Sequence, residues 1–265
     1  MKTINFGGAP VAYQVEGKGF PVVLLHGFCE DSRVWEDFKQ DLLEENFRVV
    51  TVDLPGFGRS APVAHPSIRY YAEAVLAVLT ERKLEEMVVI GHSMGGYTAL
   101  ALAELAPKRL RGLGLFHSQP YADAPDKKDA RQKQIKFIEQ QGHQHYVKQL
   151  IPKLFALPFS QSNPFDLDKL IHRAARFSPA GIIGGLQAMT NRPDRSEVLK
   201  TMACPVLFIV GAEDEAVPPA ASRDQLALPA VASIHILPKV AHMGMLEATR
   251  ATQLIVRQFV VFCLR

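Results

Sequence analysis

The chain has 265 residues, of which 48% are hydrophobic and 22% are charged, the composition of a folded globular protein and not of a disordered chain. Its 30 basic residues outnumber its 27 acidic residues by three. So small an excess gives no reason to expect nucleic acid or an anionic membrane as a partner. The 18 glycines and 18 prolines follow no repeat, which excludes collagen-like and solenoid folds.

The sequence shows no membrane-spanning or secretory segment. A transmembrane helix needs roughly 18 uninterrupted apolar residues, and the C-terminal segment that comes closest is interrupted by Arg257 and Gln258. The N-terminus lacks the apolar region of a signal peptide. The three cysteines, Cys29, Cys204 and Cys263, form no CxxC pair, and an odd, sparse set fits reduced thiols. We therefore expect a cytoplasmic protein without a membrane span.

The predicted elements alternate between strands and helices. Thr3–Phe6 and Val11–Val15 predict an edge hairpin. Continuous apolar runs are typical of strands buried on both faces of a parallel sheet, and they occur at Pro21–Leu25, Phe47–Val52, Met87–Ile90, Leu110–Phe116, Val206–Val210 and Ser233–Leu237. Helical patterns between or after them are Val34–Leu43, Ile68–Lys83, Met94–Leu105 and Glu247–Leu264. This alternation predicts an α/β fold with a mainly parallel sheet flanked by helices.

The alternation stops between residues 119 and 199. That stretch has no strand-like run, and its helical patterns are Lys127–Gln140, Tyr146–Phe155, Asp166–Phe177 and Pro179–Met189. Prolines separate the patterns and favour several short helices over one long one. We predict a helical cap at 119–199, inserted into a core formed by 1–118 and 200–265.

The clearest chemical motif is Gly91-His92-Ser93-Met94-Gly95, which has the form G-x-S-x-G. A serine on a tight strand-to-helix turn needs neighbours without side chains because the turn is strained and crowded. A buried strand pattern precedes the motif and a helix of small residues follows it. Ser93 is therefore the predicted nucleophile.

A serine hydroxyl needs a base to become a nucleophile. His242 lies five residues beyond the last predicted strand, where a loop can reach Ser93. Asp214 follows the penultimate strand and is the predicted acid that orients the imidazole, although two further acids flank it. Among the other histidines, His92 is expected to pack in the core and His117 could line a pocket.

The order Ser93, Asp214, His242 is that of the α/β-hydrolase fold, and the chain resembles the α/β-hydrolase superfamily, in particular serine carboxylesterase-type members with a helical cap. Leu24–Phe28 and Asp53–Ser60 support the resemblance. It implies an oxyanion hole formed by the backbone N–H groups of Phe28 and Met94. It implies no metal or organic cofactor.

We expect the substrate pocket between the core and the cap. The residues predicted to line it, besides Phe28 and Met94, are Trp35, Phe116, Gln119, Phe155, Met189 and Met243. Most of them are apolar, which favours a small or medium, largely apolar acyl group.

The resulting hypothesis is a serine hydrolase that cleaves carboxylic esters of small molecules through an acyl-enzyme. C–C bond hydrolases of aromatic degradation, lactonases, cofactor-free perhydrolases and slow-hydrolysing ligand receptors share this residue set and remain alternatives. Haloalkane dehalogenases and epoxide hydrolases use Asp where Ser93 stands, which disfavours them. Proline iminopeptidases carry H-G-G-P-G where this chain has His26-Gly27-Phe28-Cys29-Glu30, which disfavours them as well.

Overall fold

The computed structural model describes residues 1–265, apart from the side chain of Ala221. Over these residues the strands are β1 Lys2–Phe6, β2 Ala9–Glu16, β3 Pro21–Leu25, β4 Arg48–Val52, β5 Met87–His92, β6 Leu110–Phe116, β7 Val206–Gly211 and β8 Ala232–Leu237. They form one sheet in the order β1-β2-β4-β3-β5-β6-β7-β8. β1 and β2 form an antiparallel hairpin at one edge, and β2 pairs antiparallel with β4. The six strands β3 to β8 all run parallel to one another.

The α-helices complete the predicted α/β arrangement. They are α1 Lys39–Glu44, α2 Ile68–Glu81, α3 Met94–Leu105, α4 Pro125–Gln141, α5 His143–Leu150, α6 Leu157–Ser162, α7 Pro164–Ala174, α8 Pro179–Thr190, α9 Ser196–Thr201, α10 Pro219–Ser222, α11 Gly244–Glu247 and α12 Thr249–Cys263. None of the helices in the described part of the chain is long and apolar enough to cross a membrane.

The interior strands and α3 form the core that supports the site. Every residue of β5 and β7 is buried, as continuous apolar runs predict. Helix α3 has ten buried residues and consists largely of Gly, Ala and Leu. The glycines and alanines let α3 approach the sheet closely, as at Gly95, where a Cβ would lie 2.4 Å from the carbonyl oxygen of Leu25.

Four predicted elements differ in the structure. The helix predicted at Val34–Leu43 is a 3₁₀ turn, Ser32–Trp35, followed by α1, and the helix predicted at Tyr146–Phe155 is α5 followed by a 3₁₀ turn at Ile151–Leu154. The helix predicted at Glu247–Leu264 begins at Thr249 as α12, because Ala248 has an extended φ of −140° and separates it from α11, which ends at Glu247. β8 is an edge strand and is not buried on both faces: its side chains alternate between half-buried and exposed.

The chain between β6 and β7 is helical throughout its regular elements, with α4 to α9 and a 3₁₀ turn at Ile151–Leu154. This segment touches the core at the edge where the parallel strands end. The backbone N–H of His242 donates to the carbonyl of Leu154 at 2.9 Å, and the Cα of Gly181 lies against Gly56 so closely that a side chain on either would clash. The helices therefore cover the loops that follow the strands.

Candidate active site

The carboxyl ends of the parallel strands bring the predicted site residues to one edge of the sheet. Phe28 follows β3, Ser93 follows β5 and His117 follows β6, whereas Asp214 and His242 follow β7 and β8. In the sheet β4 lies on one side of β3 and β5 lies on the other. The direction in which successive strands are added therefore reverses at β3. Ligands of open α/β sheets bind in the crevice at such a switch point.

Ser93 lies on a strained turn between β5 and α3. Its φ of 49° and ψ of −114° are values that a residue with a side chain rarely adopts. A Cβ on Gly91 would lie 2.2 Å from the carbonyl oxygen of Gly95, and one on Gly95 would lie 2.4 Å from that of Leu25. The N–H of Ser93 donates to the Phe116 carbonyl at 2.9 Å, which fixes the turn to β6. The two glycines of the motif are therefore steric requirements of the turn.

His242 and Asp214 form a buried pair beside this turn. The Nδ1 of His242 donates to Asp214 Oδ2 at 2.8 Å, and Asp214 Oδ1 accepts the N–H groups of Ala216 and Val217, each at 2.9 Å. Burial raises the pKa of Asp214, but the His242 and His117 rings and their hydrogen bonds outweigh burial and hold this pKa well below its ordinary value. Asp214 is therefore a carboxylate that fixes His242 with Nε2 free.

The environment distinguishes Asp214 from the two acids beside it. Asp214 is 3% exposed, whereas Glu213 and Glu215 are exposed. Ser93 and His242 line the same cavity, without a hydrogen bond between the Ser93 hydroxyl and the His242 ring. Hydrogen bonds between a catalytic nucleophile and its base are often long or poorly aligned before substrate binds.

His117 is a second histidine against Asp214, and the sequence pattern did not predict this contact. Its Nδ1 lies 3.4 Å from Asp214 Oδ2, and the backbone N–H groups of Gly211 and Gly244 face its two ring nitrogens at 3.1 and 3.2 Å. Burial lowers the pKa of His117 to about 4, although Asp214 opposes the shift. His117 is thus a neutral, buried neighbour of the acid and does not line the cavity.

A further buried chain of polar groups, which the sequence pattern also missed, runs from Glu30 through His92 to His242. His92 Nδ1 lies 3.1 Å from Glu30 Oε2, and its Nε2 lies 2.8 Å from the carbonyl oxygen of His242. Glu30 Oε2 also accepts the N–H of Gly27 at 2.8 Å. The packing role expected for His92 is therefore incomplete, since both of its ring nitrogens have polar partners. A Glu that follows β3 by five residues was the available signal.

The backbone N–H groups of Phe28 and Met94 are those predicted to form the oxyanion hole. Phe28 follows the Gly27 that Glu30 holds, and Met94 is the first residue of α3. Neither N–H donates to a protein acceptor among the described residues. The Met94 N–H also benefits from the partial positive charge at the N-terminus of α3. Both N–H groups are thus free of protein acceptors, as an oxyanion hole requires.

Ser93 and His242 open into a cavity of about 290 Å³, at the small end of the usual range for ligand pockets. Its apolar wall is formed by side chains from the core and from the helices between β6 and β7: Phe28, Tyr146, Leu150, Leu154, Met189 and Val217. Of the six residues predicted to bind substrate, Met189 lies on this cavity. The cavity therefore joins the two parts of the chain, as expected.

Six other residues predicted to line the pocket lie elsewhere, which corrects the expected pocket. The side chains of Trp35, Met94, Phe116 and Met243 are fully buried outside the cavity wall, and the rings of Trp35 and Phe116 pack edge-to-face with centroids 5.9 Å apart. Gln119 and Phe155 are also buried and lie outside the cavity wall. Large apolar side chains near a strand end pack into the core in preference to an open pocket.

Polar side chains form the rest of the wall, and composition alone gave no sign of them. Lys127, Arg131 and Gln134 line the cavity from α4, and the exposed Lys153 and Glu215 lie at its rim. Residues spaced by four and three share one face of a helix. That spacing was the available signal on a segment that otherwise reads as uniformly polar.

The described residues contain no group of three or more His, Cys, Asp or Glu side chains that could hold a metal ion. The His143 and His145 side chains, which are two residues apart, instead contact the backbone carbonyls of Ala175 and Gln141 at 3.1 and 3.0 Å.

Curated relatives cover most of the chain at low identity. A dihydrolipoyllysine-residue acetyltransferase component of the acetoin cleaving system from Pseudomonas putida is 29% identical over 238 residues, which is 87% of this chain and 60% of that protein. The chain thus spans about three fifths of that relative's length. A pimeloyl-[acyl-carrier protein] methyl ester esterase from Vibrio vulnificus is 28% identical over 226 residues, 82% of this chain and 86% of that protein.

The fold is also that of solved hydrolases. A thermophilic esterase from Thermogutta terrifontis, solved with malate bound, superposes with a TM-score of 0.93 at 26% identity, covering 99% of this chain and 98% of its own. The enol-lactonase from Burkholderia xenovorans has the same fold, with a TM-score of 0.90 at 22% identity over 98% of this chain and all of its own. The model of the alpha/beta hydrolase family matches residues 22–254. The chain therefore belongs to the alpha/beta hydrolase family.

Proposed function

We propose that the protein is a serine hydrolase that cleaves carboxylic esters of small molecules. In this proposal Ser93 is the nucleophile, His242 is the general base and Asp214 holds the imidazole. The backbone N–H groups of Phe28 and Met94 bind the oxyanion. The observation that carries the proposal is the convergence of three features: a serine on a strained turn, a histidine in the same cavity, and a buried carboxylate 2.8 Å from the far nitrogen of that histidine.

In this proposal each group carries out one chemical step. Because Nδ1 of His242 donates to Asp214, Nε2 is the nitrogen that accepts the proton as the Ser93 oxygen attacks the ester carbonyl. The carbonyl oxygen becomes negative and is stabilised by the two free N–H groups. The protonated His242 then delivers its proton to the leaving alcohol, and a water molecule deprotonated by His242 releases the acid from Ser93.

Substrate size follows from the cavity. A volume of about 290 Å³ with an apolar wall suits a small or medium acyl group. The helices at 119–199, which we propose as a cap, supply much of that wall and contact the His242 loop through Leu154. The esterases among the similar proteins support ester hydrolysis as the reaction.

The test is hydrolysis of p-nitrophenyl esters from acetate to long acyl chains by the wild type and by Ser93→Ala. We expect turnover that peaks at short acyl chains and is lost in Ser93→Ala, while the circular dichroism spectrum and melting temperature show that the variant is folded. A fluorophosphonate probe should label the wild type and not the variant. Turnover retained by folded Ser93→Ala would disprove the assignment of the nucleophile.

A second series separates ester hydrolysis from the other reactions of a serine site. Lactones and ring-cleavage diketones of similar volume are offered to the same two proteins. Faster Ser93-dependent turnover of a diketone than of every ester would move the reaction to C–C cleavage. Labelling by the probe without more than one turnover of any substrate would indicate a receptor.

A further inference from the structure

The wall of the cavity carries positive charge from one helix. Lys127, Arg131 and Gln134 stand at spacings of four and three residues on α4 and line the cavity. Apolar residues form much of the remaining wall, and Ser93 opens into the same cavity. Like charges four residues apart on a helix repel each other. The stability of α4 therefore does not explain why Lys127 and Arg131 both line the cavity.

The protein's own acids do not neutralise these cations fully. The buried carboxylate of Asp123 contacts two guanidinium groups at once, with Oδ2 2.5 Å from Arg131 Nε and Oδ1 2.7 Å from Arg192 Nη1. Lys127 adds a third positive charge, and its recorded hydrogen bond is to the carbonyl of Ala216 at 2.9 Å. Two guanidinium groups therefore share one buried carboxylate, and among the described residues no carboxylate forms an ion pair with Lys127.

Hydrogen-bonding capacity is left over on the same groups. Among the described residues the Arg131 guanidinium donates through Nε, so its two terminal nitrogens have no protein acceptor. The nearby Arg192 does not line the cavity, and its guanidinium stacks on the Tyr97 ring with Cζ 4.0 Å from the ring centroid. Burial lowers the pKa of Lys127, and the positive charges of Arg131 and Arg192 add to the shift, although Asp123 and Asp214 oppose it. Arg131 and Lys127 therefore bring positive charge to the cavity wall that the protein's own acids compensate only in part.

The other carboxylates at the cavity are already engaged or exposed. Glu30 is held by His92 and by the Gly27 N–H, and Asp214 is held by His242. Glu215 is exposed at the rim. A negatively charged group on a bound molecule is therefore the natural partner for the cations of α4.

We propose that Arg131, assisted by Lys127, binds a carboxylate of the substrate, so that the preferred substrates are half-esters of short dicarboxylic acids. The planar guanidinium offers two parallel N–H donors, which match the two oxygens of a carboxylate. This inference rests on the proposed ester hydrolysis at Ser93. It adds that the cavity selects the charge of the ester as well as its size.

The test compares monomethyl glutarate with dimethyl glutarate, which has the same carbon chain but no charge. We expect the wild type to show a kcat/KM for the half-ester that is roughly tenfold higher or more, the range of one charge-assisted hydrogen bond. Added salt should reduce this preference, since it screens the attraction between charges. Equal kcat/KM values for the two esters would overturn the inference.

Variants locate the preference on α4. Arg131→Met and Lys127→Met should each lower the ratio of half-ester to diester kcat/KM several-fold, and Arg131→Lys should retain part of it. Lys133→Met removes an exposed cation of the same helix that is absent from the cavity wall, and it should leave both values unchanged. An unchanged ratio in folded Arg131→Met and Lys127→Met would overturn the assignment.

Binding of glutarate itself separates this inference from the proposed reaction. Calorimetric titration of glutarate into Ser93→Ala should show binding. The double variant Ser93→Ala/Arg131→Met should bind glutarate more weakly. Arg131-dependent binding, together with no hydrolysis of either ester by the wild type, would support the subsite and reject the proposed hydrolysis. Diester turnover at Ser93 without glutarate binding would support the hydrolysis and reject the subsite.

Discussion

The side chain of His92 lies with its Nε2 atom 2.8 Å from the main-chain carbonyl oxygen of His242. His92 precedes the serine of the strained turn, and His242 is the proposed base, so this contact joins the nucleophile's turn to the loop of the base. The other nitrogen of His92 lies 3.1 Å from Glu30. Glu30 in turn holds the N–H of Gly27, next to the proposed oxyanion donor Phe28. One buried chain of hydrogen bonds thus connects three separate loops of the site.

The partners of His92 determine its charge. A carbonyl oxygen and a carboxylate both accept hydrogen bonds, so the two nitrogens of His92 must both donate. Burial lowers the pKa of His92, but Glu30 outweighs it and raises the pKa above its ordinary value. Burial likewise raises the pKa of Glu30, but His92 and the Gly27 N–H outweigh it and lower that pKa. The pair is therefore an imidazolium and a carboxylate, fully enclosed.

Glu30→Gln should destabilise the protein most in weakly acidic solution. The raised pKa of His92 gives stability that is complete below its ordinary value of 6.5 and is lost as the pH rises through the folded-state value. The lowered pKa of Glu30 gives stability that is present above 4.5 and is lost as the pH falls. Breaking the buried pair should cost about 3 kcal/mol at about pH 5.5 and less at about pH 9.

The measurement is the free energy of unfolding in urea for the wild type and Glu30→Gln at several pH values. Glu85 is exposed, so Glu85→Gln serves as the control for removal of one negative charge. A difference between wild type and Glu30→Gln that increases steadily towards alkaline pH would contradict the ionised pair.

His117→Gln should show the opposite dependence on pH. The pKa of His117 is lowered to about 4, so between that value and 6.5 the unfolded chain binds a proton that the folded protein does not. This histidine therefore lowers the stability of the wild type as the pH falls through that range, and glutamine removes the effect. The cost of the variant, measured by urea unfolding, should be larger at about pH 8 than at about pH 5. A cost that does not diminish on acidification would show that His117 is protonated in the folded protein.

Much of the fold and the placement of the proposed catalytic residues could be predicted because local rules decide them. Buried parallel strands need continuous apolar runs, and β3 Pro21–Leu25 and β6 Leu110–Phe116 have the predicted bounds. The turn at Ser93 needs glycines at two fixed positions, which a single sequence displays. Asp214 and His242 follow strands that end at the same edge, so chain order was sufficient to expect them together.

The cavity wall could not be predicted in the same way because it depends on how the helices between β6 and β7 pack. An aromatic residue beside a strand end has the same sequence signature in a core as in a pocket, and Trp35 and Phe116 belong to the core. Arg131 lies on a helix of mostly polar residues, where nothing local separates a cavity-facing cation from a solvated one. Which cation faces the cavity is decided by contacts distant in sequence, such as that between Lys127 and the carbonyl of Ala216.

Asp214→Asn should reduce kcat strongly while leaving the protein folded. The asparagine can donate to Nδ1 of His242 and so place the proton on Nε2, the nitrogen that must act as base. In a triad of this kind the loss is on the order of 10⁴-fold. Steady-state kinetics on the best p-nitrophenyl ester measure it, and Glu213→Gln, at an exposed neighbouring acid, should be unaffected. A loss below about tenfold would argue against the role of Asp214 in orienting His242.

Ser93→Gly should be more stable than Ser93→Ala, although both lack the nucleophile. The backbone at Ser93 has φ 49° and ψ −114°, a region that glycine occupies without penalty and that a Cβ makes costly. Relief of this strain should raise the free energy of unfolding of Ser93→Gly by about 1 kcal/mol relative to Ser93→Ala in urea. Ala103→Gly in the regular part of α3 is the control and should instead lose about 1 kcal/mol. Equal stabilities for Ser93→Gly and Ser93→Ala would mean that the backbone at Ser93 is not strained.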